Sequence, residues 1–237
     1  MNAQERILVD FDFRSDTPGY PKKDPDAYSP TLRRYHKNLW SKPLPTGVVF
    51  SLDDMTRHYL HHKSEALGEF CLASDAVIPT FRKERSLSHI LNEIPNADRE
   101  TFEGLGYTIG GMMIFPGERI NRKMTINGAR GFHPKIKDRF DLTIECIRRH
   151  YIKELSPLAE VLTRYERFFA LFRDFRGYVE FFLLQDLVTT DYSAVEFFAP
   201  FDAFRTSPIP ATDDAYRAYR QLAMTFIEAR NVRIASC

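Results

Sequence analysis

Thirteen of the chain's 32 aromatic residues fall between Tyr165 and Phe204, and this concentration limits the fold more than any other feature. Each such ring has roughly 150–250 Å² to remove from water, so the stretch must be the centre of a core. After a Ser156-Pro157 start, Leu158, Val161, Leu162, Tyr165, Phe168, Phe169 and Phe172 recur at helical spacing and predict a helix with one wide apolar stripe. Phe168, Phe169, Phe172, Phe181 and Phe182 are accompanied by Leu162, Leu171 and Leu183. That company assigns the five rings to the core, not to a surface that stacks nucleic-acid bases. With 237 residues the chain can close such a core without disulfides or a structural metal.

The first half supplies strands for this core to cover. Ile7–Phe13 is aliphatic and then alternating, and reads as a strand with one buried face. Val48–Ile78 reads as a meander of strands, and Tyr107–Phe115 as a further strand whose two glycines mark a bulge or a close backbone approach. Ser29-Pro30 is a helix start for Thr31–Trp40, and Arg85–Ile94 reads as a short amphipathic helix. Phe140, Ile144, Ile147 and Tyr151 predict a helix after Asp138, and a last one spans about Asp214–Glu228. The expectation is an α+β fold: a mostly antiparallel sheet from the N-terminal half covered by helices from the C-terminal half. No repeat or linker divides it, so residues 1–237 are read as one domain.

Three cysteines, Cys71, Cys146 and Cys237, are too few and too scattered for a disulfide framework or a zinc site. Free thiols, no leader-like segment and no apolar run long enough to span a bilayer predict a cytoplasmic protein without a membrane partner. The net charge of +1 excludes a uniformly basic sleeve, but the charge is unevenly distributed. Between Gly117 and Arg139, seven basic residues face only Glu118 and Asp138.

That segment holds the strongest chemical signal. Asn127-Gly-Ala-Arg130-Gly joins flexible backbone to a guanidinium able to grip an anion with two parallel hydrogen bonds. Lys135, Lys137 and Arg139 add positive potential before a helix. Asn127, Arg130, Lys135, Lys137 and Arg139 are therefore the expected ligand-binding residues for a phosphorylated ligand, and the competing reading is a solvated basic loop. A second set, Asp10, Asp12 and His36 with Arg33 and Arg34, offers catalytic proton or cation groups, or simply ion pairs between a strand and a helix. His58, His61 and His62 provide at most two ligands on one face, so no metal site is expected. Glu145 and Arg149, four apart, should pair across a helical turn. No cofactor is identifiable.

DFDFR (Asp10–Arg14), DPDAYSPTLRRYHKNLWSKPLP (Asp24–Pro45), FPG with TINGARG (Thr125–Gly131), DRFDLTIECIRR (Asp138–Arg149) and FFLLQDLV (Phe181–Val188) together resemble a bacterial family catalogued as a domain of unknown function. The likeness spans nearly the whole chain and implies no activity. Ile109-Gly110, Phe115-Pro116-Gly117, Ile120-Asn121 and Asn127 are similar in order to the segment after the metal site of HNH-type nucleases. The Asp-His or His-His motif of those enzymes is not present upstream at their spacing. Three functions follow as expectations: an enzyme or binder for a nucleotide or nucleic acid through the Asn127–Arg139 run, a non-enzymatic interaction or nucleic-acid-binding module, and a degenerate HNH-like nuclease.

Overall fold

The computed structural model describes residues 6–56, 58–78, 81 and 84–237. Two short helices come first, α1 (Pro25–Tyr28) and α2 (Pro30–Trp40). The start of α2 is set by its sequence: Ser29 accepts from the Leu32 N–H, and Pro30 occupies the first turn, where its missing N–H costs nothing. Asp16 adds a tertiary cap, accepting from Ser29 Oγ at 2.6 Å and from the Thr31 N–H at 3.0 Å.

A two-stranded ribbon follows, β1 (Lys42–Pro43) with β2 (Val49–Phe50), and then the main sheet. Its strands β3 (Asp53–Thr56), β4 (Tyr59–Ser64), β5 (Gly68–Ala76) and β6 (Met112–Pro116) lie in sequence order and pair antiparallel. Between β5 and β6 the chain forms α3 (Ser88–Glu93) and α4 (Asn96–Gly106). After β6 come α5 (Ile126–Phe132), α6 (Phe140–Tyr151), α7 (Ala159–Arg164), α8 (Glu166–Ala170), α9 (Phe175–Phe181) and α10 (Asp213–Ala235). This is the α+β arrangement expected, with C-terminal helices packed on a sheet from the first half.

The five phenylalanines expected in the core are there, none more than 5% exposed. The paired glycines before β6 serve a close approach. A Cβ at Gly110 would lie 2.5 Å from Ile227 O of α10, and the Gly110 N–H donates to Asn231 Oδ1 at 2.7 Å.

Four expectations are corrected. Ile7–Phe13 is turn and coil, because the Phe13 N–H is bonded to Tyr107 O with no strand ladder beside it. The helix expected through Phe172 breaks at Tyr165 into α7 and α8. The strand expected from Tyr107 begins at Met112, after a 3-10 turn. The basic loop is partly helix: Thr125 Oγ1 caps α5 by accepting from Gly128 N, which places Asn127 and Arg130 on one rigid turn.

Candidate functional site

β5 runs past the end of its neighbour. Its pairing with β4 stops at Leu60↔Leu72, whereas its pairing with β6 continues to Ala76↔Met112. The edge of β5 beyond Leu72 is therefore open on one side, and an open edge presents unpaired backbone groups. Asn127 of α5 covers part of it, its Nδ2 donating to Ser74 O at 3.2 Å. From the other side α1 approaches, and Ser74 Oγ donates to Asp26 Oδ1 at 3.0 Å. Successive strand residues point to opposite faces, so Ser74 turns toward α1 and α2 while Asp75 turns toward Arg130 of α5.

On the Ser74 side the hydrogen-bond directions are determined. An indole N–H can only donate, and Trp40 Nε1 is 3.1 Å from His36 Nδ1. His36 Nδ1 is thus the acceptor, Nε2 carries the hydrogen, and it donates to Ser74 Oγ at 3.0 Å. Ser74 passes its own hydrogen to Asp26, completing a directed chain from Trp40 to a carboxylate. Burial, reinforced by the positive charges of Arg230 and Arg33, pushes the His36 pKa down to about 3. It is a neutral imidazole at neutral pH and cannot serve as a cation.

On the Asp75 side the guanidinium of Arg130 is completely buried. It donates from Nη1 to Asp75 Oδ2 at 2.6 Å and to Ala76 O, from Nη2 to Asp138 O at 2.8 Å, and from Nε to Thr143 Oγ1. Asp138 Oδ1 also lies 3.2 Å from Nη1. Despite this partner, burial raises Asp75 to about 7, with the charge of Asp138 adding to the shift and Arg130 opposing it. Asp26 is held well above the usual carboxylate range by burial first, then by the charges of Asp75 and Asp24. Both acids remain reachable from solvent, Asp75 with 22% of its side chain exposed. Two carboxyl groups at the open edge of β5 are thus both shifted upward, Asp75 to about 7 and Asp26 well above the usual carboxylate range. Asn127 Oδ1, its amide orientation set by the bond to Ser74 O, is buried and has no hydrogen-bond partner among the described residues.

A family model described as a family of unknown function, DUF6994, matches residues 7–234. The chain belongs to that family. No curated protein matches the chain, and no solved structure does. In this member of DUF6994 two of the segments that carried the resemblance, Asp24–Pro45 and Thr125–Gly131, meet at Ser74 and Asp75.

The expected site residues are divided by the structure. His36, Asn127 and Arg130 come together around β5. Asp12 lies one step away: Arg14 pairs with Asp12 and Glu100 and sits over the Tyr107 ring at 5.8 Å. The Tyr107 hydroxyl is in turn pushed up by burial and by Asp24 and Asp26. Asp10 is exposed and stands apart from this group. Arg130 is corrected from an open anion ligand to a buried cation whose donors are taken up by protein oxygens. Arg139 is corrected likewise. It is buried against Asp141 and donates to Pro208 O and Ala199 O, pinning the 198–208 segment. Lys135 bonds Arg205 O at 2.6 Å and Lys137 pairs with Glu84 at 2.9 Å.

Arg33 and Lys37 pair with Asp54 of β3, not with Asp10 or Asp12. His61 pairs with Glu69 at 2.7 Å, while its neighbour His62 is buried and stacked on Phe50, so the two do not converge. Glu145 pairs with Arg149 as its spacing predicted, and with Arg148 as well. Among the described residues no group of three or more His, Cys, Asp or Glu is arranged to hold a metal, and no helix is long and apolar enough to cross a membrane. Sequence reasoning missed Asp26, Ser74 and Asp75. The available signal for the last was an acidic residue inside the apolar strand run EFCLASDAVI.

Proposed function

We propose that this protein is an acid–base enzyme for a small, donor-rich ligand, uncharged or cationic, held at the open edge where β5 outruns β4. The carrying observation is the chemistry of the lining. Asp26, Asp75 and the unpartnered Asn127 Oδ1 all accept hydrogen bonds. Hydroxyl, amine or amide hydrogens match that lining, whereas a phosphate brings only acceptors. A carboxyl that titrates at about 7, with a second raised carboxyl close enough for its charge to be felt, is equipped for general acid and general base roles. Ser74, between His36 and Asp26, orients the first acid. Arg130, fixed behind Asp75, keeps the second partly ionised.

A thermal-shift and calorimetric panel of polyols, nucleosides, amines and amides, run on wild type, Asp26→Asn and Asp75→Asn, tests this reading. Neutral or cationic compounds should bind wild type and lose at least about tenfold in affinity in both variants, the loss of one charge-assisted hydrogen bond. An amine that pairs with the ionised Asp75 carboxylate should bind more tightly as the pH rises through about 7. Hits that bind both variants unchanged, or no hit at all, would refute it.

A second reading, a nucleotide or nucleic-acid ligand, is supported by the exposed cations Arg119 and Arg122 in the segment after β6. Its test is separate: oligonucleotide binding at near-physiological salt, lost on replacing both arginines by serine.

A further inference from the structure

A cavity of about 680 Å³ lies at the C-terminal end of α2. That volume is within the range of small-molecule sites. Leu8, Val9, Leu39, Leu183 and Ile234 give it an apolar wall, and Asp10 and Lys42 stand among its polar lining. Lys42 is partly buried on β1, its ammonium 5.0 Å from the Trp40 ring centroid and 4.8 Å from that of Phe181. Aromatic faces steady a cation but do not neutralise it. Among the described residues Lys42 has no carboxylate ion-pair partner; Arg6 lines the same cavity, and the nearby Arg230 adds a further positive charge, 5.8 Å over the same Trp40 ring. Burial accordingly pulls the Lys42 pKa down to about 8, the mark of a cation short of counter-charge.

We propose that this cavity binds an amphiphilic monoanion, with its carboxylate on Lys42 and its hydrocarbon body along the Leu39–Leu183–Ile234 wall. The charge argument selects the head group, because a carboxylate supplies the missing negative partner. The wall selects the tail, since apolar surface gains by being covered. Lys42 and Arg6 against Asp10 leave the charged lining with one net positive charge, the complement of a single negative head group. The inference does not depend on the Asp26 and Asp75 carboxyls, which lie elsewhere in the fold.

The chain has one tryptophan, Trp40, so ring fluorescence reports occupancy directly beside Lys42. Decanoate should quench or shift that emission saturably, with decanol much weaker and decyltrimethylammonium without effect. Lys42→Met should weaken decanoate by roughly tenfold or more, and Lys42→Arg should restore most of the binding, as expected for a charge-assisted contact. Asp26→Asn should bind decanoate like wild type, which separates this proposal from the previous one. Calorimetry showing no decanoate binding to wild type, or equal binding to wild type and Lys42→Met, would overturn it. So would equal affinity for decanol and decanoate.

Discussion

Arg130 and Arg230 are both fully buried, yet their surroundings treat the charge in opposite ways. At Arg130 burial works against the cation, but Asp138 and Asp75 outweigh it and the pKa rises. Among the described residues Arg230 has no carboxylate in ion-pair contact, and Asp186 acts on it only at longer range. It donates to Gly110 O, Met112 O and Phe182 O, and burial pulls it down to about 9. One arginine therefore belongs to a network of titrating groups at the edge of β5. The other clamps α10 to the backbone entering β6 and to the end of α9. Where the chain gathers opposite charges, protonation can respond to a ligand; where it uses a cation to gather carbonyls, the bonds are fixed.

The largest test of this contrast is to remove each cation. Arg130→Met strands Asp75 and Asp138 and should cost about 3–5 kcal/mol in urea denaturation, the scale for an orphaned buried charge. Arg130→Met combined with Asp75→Asn should recover part of that loss. Arg230→Met leaves only neutral carbonyls behind and should cost less, about 1–3 kcal/mol. The reverse order would break the comparison.

A smaller effect is expected in the pH dependence of stability. Asp75 titrates at about 7 in the folded protein and near about 4 when unfolded. Its contribution is thus greatest below that lower value and is lost as the pH rises toward 7. His36 is the mirror case. Folded at about 3 and unfolded near about 6.5, it contributes fully above the latter value and loses its contribution as the pH falls. The two slopes oppose each other between about pH 4 and 6.5. Because Asp26, also raised, adds to the Asp75 slope, melting temperatures should show wild type gaining some stability on acidification across this window, Asp75→Asn gaining less, and His36→Gln gaining more.

Smallest of all, Asp26→Asn keeps an acceptor for Ser74 and removes a repelling charge. It should change stability at pH 8 by no more than about 1 kcal/mol, either way. The Asp75 carboxyl, followed by carbon NMR, should titrate below its wild-type midpoint. An unmoved midpoint would mean that the two acids do not share a site.

Local signals were readable where local and tertiary partners agree. Ser29-Pro30 announces α2, and Asp16 reinforces the same cap. The periodic apolar residues of α6 likewise announce a helix that does pack inward. Ile7–Phe13 misled because alternation reports which side chains are buried and is silent about whether a second strand lies alongside. Arg130 misled for a related reason: its flanking glycines and lysines describe a solvated loop, and only the distant Asp75, 55 residues away in sequence, draws the guanidinium inward. Asp26 was hidden among five aspartates between Asp10 and Asp26, with nothing local to single out the one that meets β5.

The anchoring of residues 198–208 has a consequence for the order in which the molecule assembles. This stretch has no helix or sheet pairing of its own. Its long-range hydrogen bonds run from Phe198 N to Asp141, from Arg139 to Ala199 O and Pro208 O, and from Lys135 to Arg205 O, all to residues 135–141 and across sequence gaps of 57 to 70 residues. Long loops close only after their docking site exists. The segment therefore settles after α6 has found its place, and in native-state hydrogen exchange it should open as one unit, ahead of the helices beneath it.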